Sequence, residues 1–524
     1  MKNKPYPYYT VPIISDMKEL LDFCASHYGD KTAFWYGKRE KETHHSYTAV
    51  RDDVAAFATW LHSNGYADKH IALLGENSYA WIVTYFAVVN IGSVVVPIDK
   101  ELDSASIAVL LKKADISLLI HSNAYQEEAA ETGFQTISLR NIDAYISEGK
   151  ERIAEGDTTY VDRSVDKETL CAIVFTSGTT GEPKGVMLSH RSLMMDAIRS
   201  AQNLYAPEGA VSILPFYHAF GWMACVLDQM ILGHGVYVIG SLKRVLDDIH
   251  YSAPRHICAV PLLVSAVYNG IWNKAAEQGK DRHLRLIIKL SNALRKTGID
   301  VRRRIFKSIY EGYGGNLEMI ISGGSAIDEK YIRGFDDIGI KLTNGYGITE
   351  LSPIVATMRN EHFAVGSVGC VNPGIECRIK DGEIQLKGET LFLGYYNDTT
   401  ATENAMDDGW FKTGDLGYMD GNGLLYITGR LKNLIILPNG KNVIPEELET
   451  KLLSIDGVQE VIVSGKGDHI VAEIYPTDGK MDLEATIRNA VLQMNKTLPA
   501  FKQIAEMVFR RTEFQKTATK KIKR

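Results

Sequence analysis

Helical and strand patterns alternate along the first third of the chain, and this alternation restricts the fold more than any other feature. Helix-period patterns cover residues 46–64 and 80–90, and each is followed by a short apolar run, at 70–74 and 94–97. Strands that alternate with helices usually lie parallel in one sheet, with helices packed on both faces. The sequence therefore predicts a doubly wound α/β subdomain at the start of the chain.

The middle of the chain repeats this pattern and then changes. Strand patterns at 211–214, 236–239, 257–260 and 319–322 predict a second doubly wound α/β subdomain. From 366 to 426, short strand patterns are separated by Pro-Gly, Asp-Gly, Lys-Gly and Asn-Gly turns. Such spacing is typical of a small antiparallel sheet or barrel, so we predict a β-barrel-like subdomain here.

A new unit begins after Gly429-Arg430. A strand pattern covers 433–437, and a helix opens at Pro445, since proline is favoured at the first helical position. A chain of 524 residues is too long for one compact core. We therefore predict an N-terminal domain over 1–430, which contains the three subdomains, and a C-terminal α+β domain over 431–524.

Charge and cysteine content exclude several classes of protein. The chain has 58 Lys and Arg residues against 64 Asp and Glu residues, and the net charge of -6 provides no global attraction to nucleic acid. Its six cysteines include no Cys-x-x-Cys pair, which argues against a zinc site and against a disulfide framework. We expect no nucleic-acid partner and a reducing compartment.

No segment has the pattern of a membrane span or a secretion signal. The longest apolar stretch, 80–98, contains Asn90, Gly92 and Pro97, and is better explained as a buried helix followed by a strand. Prolines, tyrosines and charges interrupt the first residues before any apolar run. We therefore expect a cytoplasmic protein without a transmembrane segment.

A loop rich in glycine and hydroxyl residues follows the apolar run at 173–175. Small residues let backbone N–H groups approach a polyanion, hydroxyls donate further hydrogen bonds, and a lysine adds positive charge. The spacing differs from that of a Walker P-loop, because no Gly-Lys-Ser/Thr follows at the required offset. We predict a phosphate-binding loop formed by Thr176, Ser177, Gly178, Thr179, Thr180, Gly181 and Lys184.

The ten residues TSGTTGEPKG at 176–185 resemble the phosphate-binding signature of the adenylate-forming superfamily, which includes acyl-CoA synthetases, luciferases and peptide-synthetase adenylation domains. The similarity continues through NGYGITE at 344–350, WFKTGDLG at 410–417, GRLK at 429–432 and KTATKKIKR at 516–524. It covers nearly the whole chain. The resemblance implies ATP, Mg²⁺ and coenzyme A as ligands and a carboxylic acid as substrate.

The same resemblance assigns residues to a nucleotide site. Tyr346 would stack on adenine, while Thr349 and Glu350 would meet the phosphates, with Glu350 as the Mg²⁺ ligand. The remaining members of this part of the site would be Gly323, Gly324 and Ser325, which line the base pocket, and Asn344, Gly345 and Gly347, which share the motif of Tyr346.

Two further residues would contact the ribose. Asp415 would accept hydrogen bonds from both ribose hydroxyls, because an ionised carboxylate has two oxygens. Arg430 resembles the family arginine that contacts ribose or phosphate, and its alternative role is a surface salt bridge.

The chain end contains the predicted catalytic lysine. Lys521 resembles the family lysine that bridges the attacking carboxylate and the α-phosphate, where it would stabilise charge in the transition state. Lys520 stands where the family has glycine. The family rotates its small, mobile C-terminal domain between two half-reactions, and the resemblance places the hinge at Lys432.

The acid is predicted from the segment LPFYHAFG at 214–221, which resembles the family's acyl-pocket motif, with His218 beside the route to the carboxylate. Relatives that activate amino acids have an aspartate just after this motif, whereas residues 219–222 have no charge. A buried, unpaired ammonium is unfavourable, so we expect a fatty or aryl acid. The segment LPNGKN at 437–442 resembles bacterial long-chain acyl-CoA ligases.

Two alternatives stay open at this point. The acyl acceptor is either coenzyme A or the phosphopantetheine thiol of a carrier protein, since both present the same thiol arm. A non-catalytic nucleotide sensor with the same fold is the second alternative, because fold alone does not specify activity. A luciferase-like monooxygenase is disfavoured, because no residue pattern indicates dioxygen chemistry.

Overall fold

The computed structural model describes residues 7–176, 182–360, 362–438, 440–479, 481–516 and 522. The chain forms two compact units. The first comprises residues 1–365, 369–376 and 387–405, and the second comprises 366–368, 377–386 and 406–524.

The strands are β1 (Thr32–Tyr36), β2 (Thr43–Ser46), β3 (His70–Leu74), β4 (Val94–Ile98), β5 (Leu118–His121), β6 (Thr136–Ser138), β7 (Leu170–Thr176), β8 (Lys184–Ser189), β9 (Ala210–Ser212), β10 (Val236–Val238), β11 (His256–Ala259), β12 (Met319–Ser322), β13 (Lys341–Gly347), β14 (Ile354–Thr357), β15 (Gly369–Val371), β16 (Ile375–Lys380), β17 (Glu383–Gly388), β18 (Gly394–Tyr395), β19 (Met406–Asp407), β20 (Trp410–Met419), β21 (Leu424–Arg430), β22 (Ile435–Ile436), β23 (Asn442–Val443), β24 (Val458–Lys466), β25 (His469–Pro476) and β26 (Ile504–Phe509).

The helices are α1 (Met17–Tyr28), α2 (Tyr47–Ser63), α3 (Tyr79–Asn90), α4 (Ser104–Lys113), α5 (Gln126–Glu131), α6 (Ile142–Ala154), α7 (Thr159–Asp162), α8 (His190–Asn203), α9 (Ala219–Trp222), α10 (Asp228–Leu232), α11 (Val245–Ser252), α12 (Pro261–Glu277), α13 (Asp281–Lys296), α14 (Arg302–Ile305), α15 (Lys307–Glu311), α16 (Glu329–Ile338), α17 (Thr399–Ala405), α18 (Pro445–Leu453) and α19 (Glu484–Asn495).

The first sheet of the first unit has the order β18-β8-β7-β4-β3-β5-β6. Its strands from β7 to β6 pair in parallel, whereas β8 and β18 are antiparallel additions at one edge. Every residue of β4 is buried, as expected for a central parallel strand covered on both faces. The predicted doubly wound start of the chain has this architecture.

The four strands predicted in the middle of the chain belong to two sheets. β9 and β10 join β1 and β2 in the order β2-β1-β10-β9, while β11 and β12 pair in parallel with β13. The strands predicted for the second subdomain are therefore divided between two sheets. Alternating hydrophobicity identifies a strand, but it does not identify the strand's partner.

Helix α3 explains the long apolar stretch of the sequence. Ser78 caps its N-terminus by accepting a hydrogen bond from Trp81 N, and eleven of the twelve residues of the helix are buried. A helix that is apolar on all sides lies in a protein core or in a membrane. Within the described residues, no helix combines the length and the apolar character needed to cross a membrane.

The second unit contains antiparallel strands and a small α+β part. β20 pairs antiparallel with β17, β19 and β21. In the α+β part, β25 pairs antiparallel with β24 and parallel with β26, and Leu448, Ile474 and Val491 lie in its core. Helix α18 begins at Pro445 as predicted. The strand predicted at 433–437 is shorter, because a 3₁₀ turn covers Leu431–Asn433 and only β22 is extended.

A close approach between two helices of the first unit gives a stability prediction. A Cβ at Gly149 of α6 would overlap the carbonyl oxygen of Ala56 in α2. We expect Gly149→Ala to lower the free energy of unfolding by about 1–3 kcal/mol, as overpacking of a core does, measured by urea unfolding. Gly270→Ala in α12 is the control, because open space surrounds that position and alanine favours a helix. Equal effects of the two substitutions would contradict this packing.

Candidate functional site

The predicted phosphate-binding segment connects two strands that pair antiparallel. Thr176 at the end of β7 pairs antiparallel with Lys184 at the start of β8, so the two described ends of the segment lie side by side. A Walker P-loop instead leads from a strand into a helix. Five of the predicted ligands, Ser177, Gly178, Thr179, Thr180 and Gly181, lie outside the described residues.

The described end of this segment, residues 182 and 183, contacts helix α4. Lys113 Nζ donates a hydrogen bond to Pro183 O at 2.8 Å and lies 3.9 Å from Glu182 Oε2. Because Pro183 directly precedes β8, this contact holds the backbone in place where β8 begins.

Lys184 and Glu350 are connected through Tyr395. The ammonium nitrogen of Lys184 lies 4.7 Å from the centre of the Tyr395 ring, within the range of a cation–π interaction. The Tyr395 hydroxyl donates a hydrogen bond to Glu350 Oε1 at 2.8 Å. Burial and the neighbouring Glu350 carboxylate raise the pKa of Tyr395, so this hydroxyl stays protonated at neutral pH. Three side chains from distant parts of the sequence therefore form one cluster.

Backbone hydrogen bonds hold Tyr395 in this position. Leu393 N donates to Met187 O at 2.9 Å, and Tyr396 N donates to Gly185 O at 2.8 Å, which attaches β18 to β8. Phe392 N donates to Glu350 O at 2.9 Å. The backbone of residues 392–396 therefore forms hydrogen bonds both with β8, which begins at Lys184, and with Glu350. Thr349 begins the 3₁₀ turn that contains Glu350.

The predicted base-pocket residues follow parallel strands. Directly after β12 come Gly323, Gly324 and Ser325. Asn344 of the neighbouring strand β13 is paired in register with Ser322, the last residue of β12. Ligands of α/β proteins commonly bind at the carboxyl ends of parallel strands. Ser322 Oγ and Asn344 Oδ1 are buried, and no partner within the described residues forms a hydrogen bond with either atom. Buried polar atoms normally have a partner, so this edge suits a polar ligand.

Two glycines of these segments are required by close packing. A Cβ at Gly323 would lie 2.8 Å from the ring of Phe220, and a Cβ at Gly347 would overlap Pro353 O. Gly345 and Tyr346 pair with Thr357 and Ala356 of β14. The backbone of the predicted nucleotide segment therefore lies tightly between its neighbours.

The predicted acyl segment reaches the base-pocket segment through Phe220. His218 is the N-cap of α9, and its Nδ1 accepts a hydrogen bond from Phe220 N at 3.4 Å. A Cβ at Gly221 would overlap Pro215 O, which explains the glycine in this motif. The contact of Phe220 with Gly323 brings the His218 segment and the end of β12 together.

An aromatic cluster lies behind the acyl segment. The Trp222 side chain is 3% exposed and stacks on Tyr85 of α3 at a ring distance of 4.0 Å. Other members of the cluster are Trp81, Phe86 and Phe216. This part of the acyl segment therefore has apolar neighbours.

The two predicted ribose ligands of the second unit contact each other. Asp415 and Arg430 are cross-strand partners, and Arg430 Nε lies 2.6 Å from Asp415 Oδ1. The Asp415 side chain is 4% exposed, whereas that of Arg430 is 42% exposed. Arg430 therefore forms an ion pair with a buried carboxylate, and its contact with ribose or phosphate stays a prediction. A carboxylate accepts several hydrogen bonds, so this pair leaves Asp415 compatible with a ribose.

The described residues include the predicted hinge but not the predicted catalytic lysine. Lys432 is exposed and lies in the 3₁₀ turn directly after β21. Lys521 and Lys520 lie outside the described residues. Their roles stay predictions.

The sequence predicted Lys184 and Glu350 for the site, but it did not predict that Tyr395 would contact both of them or that Phe220 would contact Gly323. The Gly-Tyr-Tyr step at 394–396 was a visible signal, because glycine beside aromatic residues in a strand often marks a close approach of the backbone. Nothing in the sequence distinguished Phe220 from the other uncharged residues at 219–222.

Comparison with known proteins places this geometry in a family. A model of the AMP-binding enzyme family matches residues 21–396, and a model of the C-terminal domain of AMP-binding enzymes matches residues 432–524. The chain belongs to the AMP-binding enzyme family, and the predicted membership of the adenylate-forming superfamily is confirmed.

Curated relatives include several ligases. The long-chain-fatty-acid–CoA ligase FadD15 of Mycobacterium bovis is 28% identical, over 82% of this chain and 76% of the relative. Indoleacetate–CoA ligase of Aromatoleum aromaticum is 27% identical over 97% of each chain. The long-chain-fatty-acid–[acyl-carrier-protein] ligase AEE15 of Arabidopsis thaliana is 26% identical, over 84% of this chain and 73% of the relative.

Solved structures show the same fold. The anthranilate CoA ligase AuaEII in complex with anthranoyl-AMP has a TM-score of 0.79 at 20% identity, covering 98% of this chain and 96% of that chain. The o-succinylbenzoate CoA synthetase MenE of Bacillus subtilis, in complex with ATP and magnesium, has a TM-score of 0.74 at 21% identity, covering 96% and 98%. The predicted α/β class, with a large N-terminal and a small C-terminal domain, is confirmed.

The Tyr395 cluster gives a test with a matched control. Tyr395→Phe removes the hydrogen bond to Glu350, and we expect ATP binding in the presence of Mg²⁺ to weaken about tenfold, the usual size for a bond to a charged group. Isothermal titration calorimetry measures this affinity. Tyr396→Phe removes the neighbouring hydroxyl, which instead donates to Asp115 at 2.8 Å, and should leave binding unchanged. Similar affinities of the two variants would contradict a role for Tyr395 in the site.

Proposed function

We propose that this protein is an ATP-dependent acid–thiol ligase, which adenylates a carboxylic acid with release of pyrophosphate and transfers the acyl group to coenzyme A. The observation that carries the proposal is the cluster of Lys184, Tyr395 and Glu350 at the predicted phosphate-binding segment. It combines a cation for phosphate with a carboxylate suited to Mg²⁺. Membership of the AMP-binding enzyme family and the names of the relatives support it.

Adenylation solves a chemical problem of the free acid. A carboxylate repels nucleophiles, and its oxygen is a very poor leaving group. When the acid attacks the α-phosphate of ATP, pyrophosphate departs and the acyl-AMP product contains a good leaving group, AMP. A thiol then attacks the acyl carbon, and AMP leaves with the electron pair of the broken bond.

The residues of the predicted phosphate-binding segment fit the charge of the ATP phosphates. Lys184 supplies a positive charge, and residues 177–181 include hydroxyl side chains and backbone N–H groups that can act as donors. We propose that Tyr346 and the segment Gly323, Gly324 and Ser325 hold the adenine, beside the buried Ser322 and Asn344 atoms that have no partner in the described part of the chain.

The predicted metal ligand fits Mg²⁺ as well. Mg²⁺ in nucleotide sites is usually held by one or two carboxylates together with substrate phosphates. Glu350 Oε1 accepts the Tyr395 hydrogen bond, and within the described ranges Glu350 Oε2 accepts none. When bound, the ion neutralises charge on the departing pyrophosphate. Tyr395 orients the carboxylate towards that task.

Asp415 and Arg430 are proposed to act on the sugar and phosphate. The short contact to Arg430 keeps the Asp415 carboxylate oriented, so it is prepared to accept hydrogen bonds from ribose hydroxyls. The exposed part of the Arg430 guanidinium has further N–H groups that suit a phosphate oxygen.

An acid without an ammonium group suits the acyl segment. Residues 219–222 have no charge, and Trp222 lies in an aromatic cluster. An ammonium group buried there without a partner would be unfavourable. We therefore propose a fatty or aryl acid as substrate, with His218 beside its carboxylate. The names of two relatives, for a long-chain fatty acid and for indoleacetate, agree with this class.

The experiment that tests this function is acid-dependent exchange of labelled pyrophosphate into ATP, over a panel of fatty, aryl and amino acids. We expect exchange with fatty or aryl acids and none with amino acids. Thioester formation is then measured with coenzyme A and with a holo-carrier protein, and faster reaction with the carrier would replace the proposed acceptor. ATP binding without exchange for any acid would favour a nucleotide sensor.

Lys521 is proposed as the residue that stabilises charge between the attacking carboxylate and the α-phosphate. We expect Lys521→Ala to lower the exchange rate by about 100-fold or more, because loss of a transition-state donor has effects of this size. Lys520→Ala, one residue away, should keep most of the activity. A reversed order of the two variants would move the catalytic role to Lys520.

Lys432 is proposed as the hinge between the two half-reactions, consistent with its exposed turn after β21. We expect Lys432→Pro to keep acyl-AMP formation and to lose thioester formation, because proline restricts the backbone that must rotate. Lys432→Ala keeps backbone freedom and serves as the control. Equal loss of both half-reactions in the proline variant would contradict the hinge.

A further inference from the structure

Helix α13 presents a row of exposed leucines on the surface of the first unit. The exposed fractions are 54% for Leu286, 57% for Leu290 and 41% for Leu294. Because these residues are four positions apart, they lie on one face of the helix. Large apolar side chains that are exposed singly are common, but a contiguous row marks an interaction surface.

A neighbouring face of α13 packs against the core of the first unit. Ser291 is buried, and Leu284, Ile287 and Ile288 pack against the core that contains Phe335 of α16. The leucine row is therefore a second apolar face, and the fold does not need it for its own core.

Basic side chains accompany the leucines. Arg282, Lys289 and Lys296 are exposed and lie beside the row on the helix surface, and within the described residues they form no ion pair. Two other arginines of α13 are engaged within the fold. Arg285 lies over the Trp272 ring at 4.8 Å, and Arg295 pairs with Asp336 at 2.7 Å. Within the described residues, the Lys and Arg side chains of α13 that have neither an ion pair nor an aromatic ring contact are thus the three next to the leucines.

The charge of this region is opposite to that of the whole chain. Residues 280–307 contain ten Lys and Arg residues against two Asp residues, a net charge of +8, whereas the chain has a net charge of -6. Such a concentration of positive charge is suited to an anionic surface. A second copy of this chain would bring the same positive face and would be repelled. Nucleic acid would leave the leucines without an apolar partner.

We propose that this α13 face, defined by Leu286, Leu290, Leu294, Arg282, Lys289 and Lys296, binds the surface of membranes that contain anionic lipids. The leucines enter the boundary between headgroups and acyl chains, and the basic residues contact lipid phosphates. With 16 residues, α13 lies in the plane of this boundary. Membrane binding here needs none of the nucleotide-site residues.

The test is sedimentation of the full-length protein with vesicles of phosphatidylcholine alone or mixed with phosphatidylglycerol. We expect binding to the anionic vesicles only, weakening as salt is added. Each basic residue near such a surface contributes roughly fivefold, so Arg282→Glu with Lys289→Glu should weaken binding by about 20-fold or more. Leu286→Ser with Leu290→Ser should also abolish sedimentation, since the apolar contact is lost.

Matched controls separate this face from general charge and hydrophobicity. Lys112→Glu with Lys167→Glu makes the same change in net charge at exposed sites elsewhere, and Leu492→Ser removes a leucine of α19 that is 52% exposed. Both controls should bind like the wild type, and all variants should keep acid-dependent pyrophosphate exchange. The proposal is overturned if wild type fails to bind anionic vesicles, if the controls lose binding equally, or if the serine variant instead dissociates a dimer.

Discussion

Antiparallel pairing of β8 with β7 is the interaction on which the candidate site depends. It places Lys184 directly opposite Thr176. The free edge of β8 then pairs with the segment around β18, which brings the Tyr395 ring beneath Lys184 and the Tyr395 hydroxyl to Glu350. Without this pairing, the cation and the carboxylate proposed to act on ATP would have no common support.

Much of the fold was predictable because local patterns specify elements. The apolar runs at β3 and β4 and the helix α3 between them were found within one or two residues. Sheet membership was less predictable, since β10 pairs with β1, which is distant in the sequence, and β9 joins that sheet through β10. Alternation of apolar and polar residues with a period of two indicates which residues of a strand face a core, but it does not indicate which strand lies beside that strand.

The candidate site was predictable where a motif is continuous and unpredictable where it is assembled by tertiary contacts. The segments that resemble family motifs include Thr176, Lys184 and Glu350. In the structure, Tyr395 contacts both Lys184 and Glu350. Tyr395 was missed because its role arises from β18 pairing with β8. The contact between Asp415 and Arg430 was not predicted, because cross-strand register is invisible in a single sequence.

The central claim is that the predicted phosphate-binding segment holds the anionic tail of ATP, and the binding affinities of Lys184→Ala for a non-hydrolysable ATP analogue and for AMP test it most directly. Lys184→Ala should weaken binding of the analogue about tenfold or more while AMP binding stays nearly unchanged, because AMP lacks the tail that the lysine contacts. Lys112→Ala, an exposed lysine on α4, should change neither affinity. Equal weakening for both nucleotides, or no change for either, would contradict the claim.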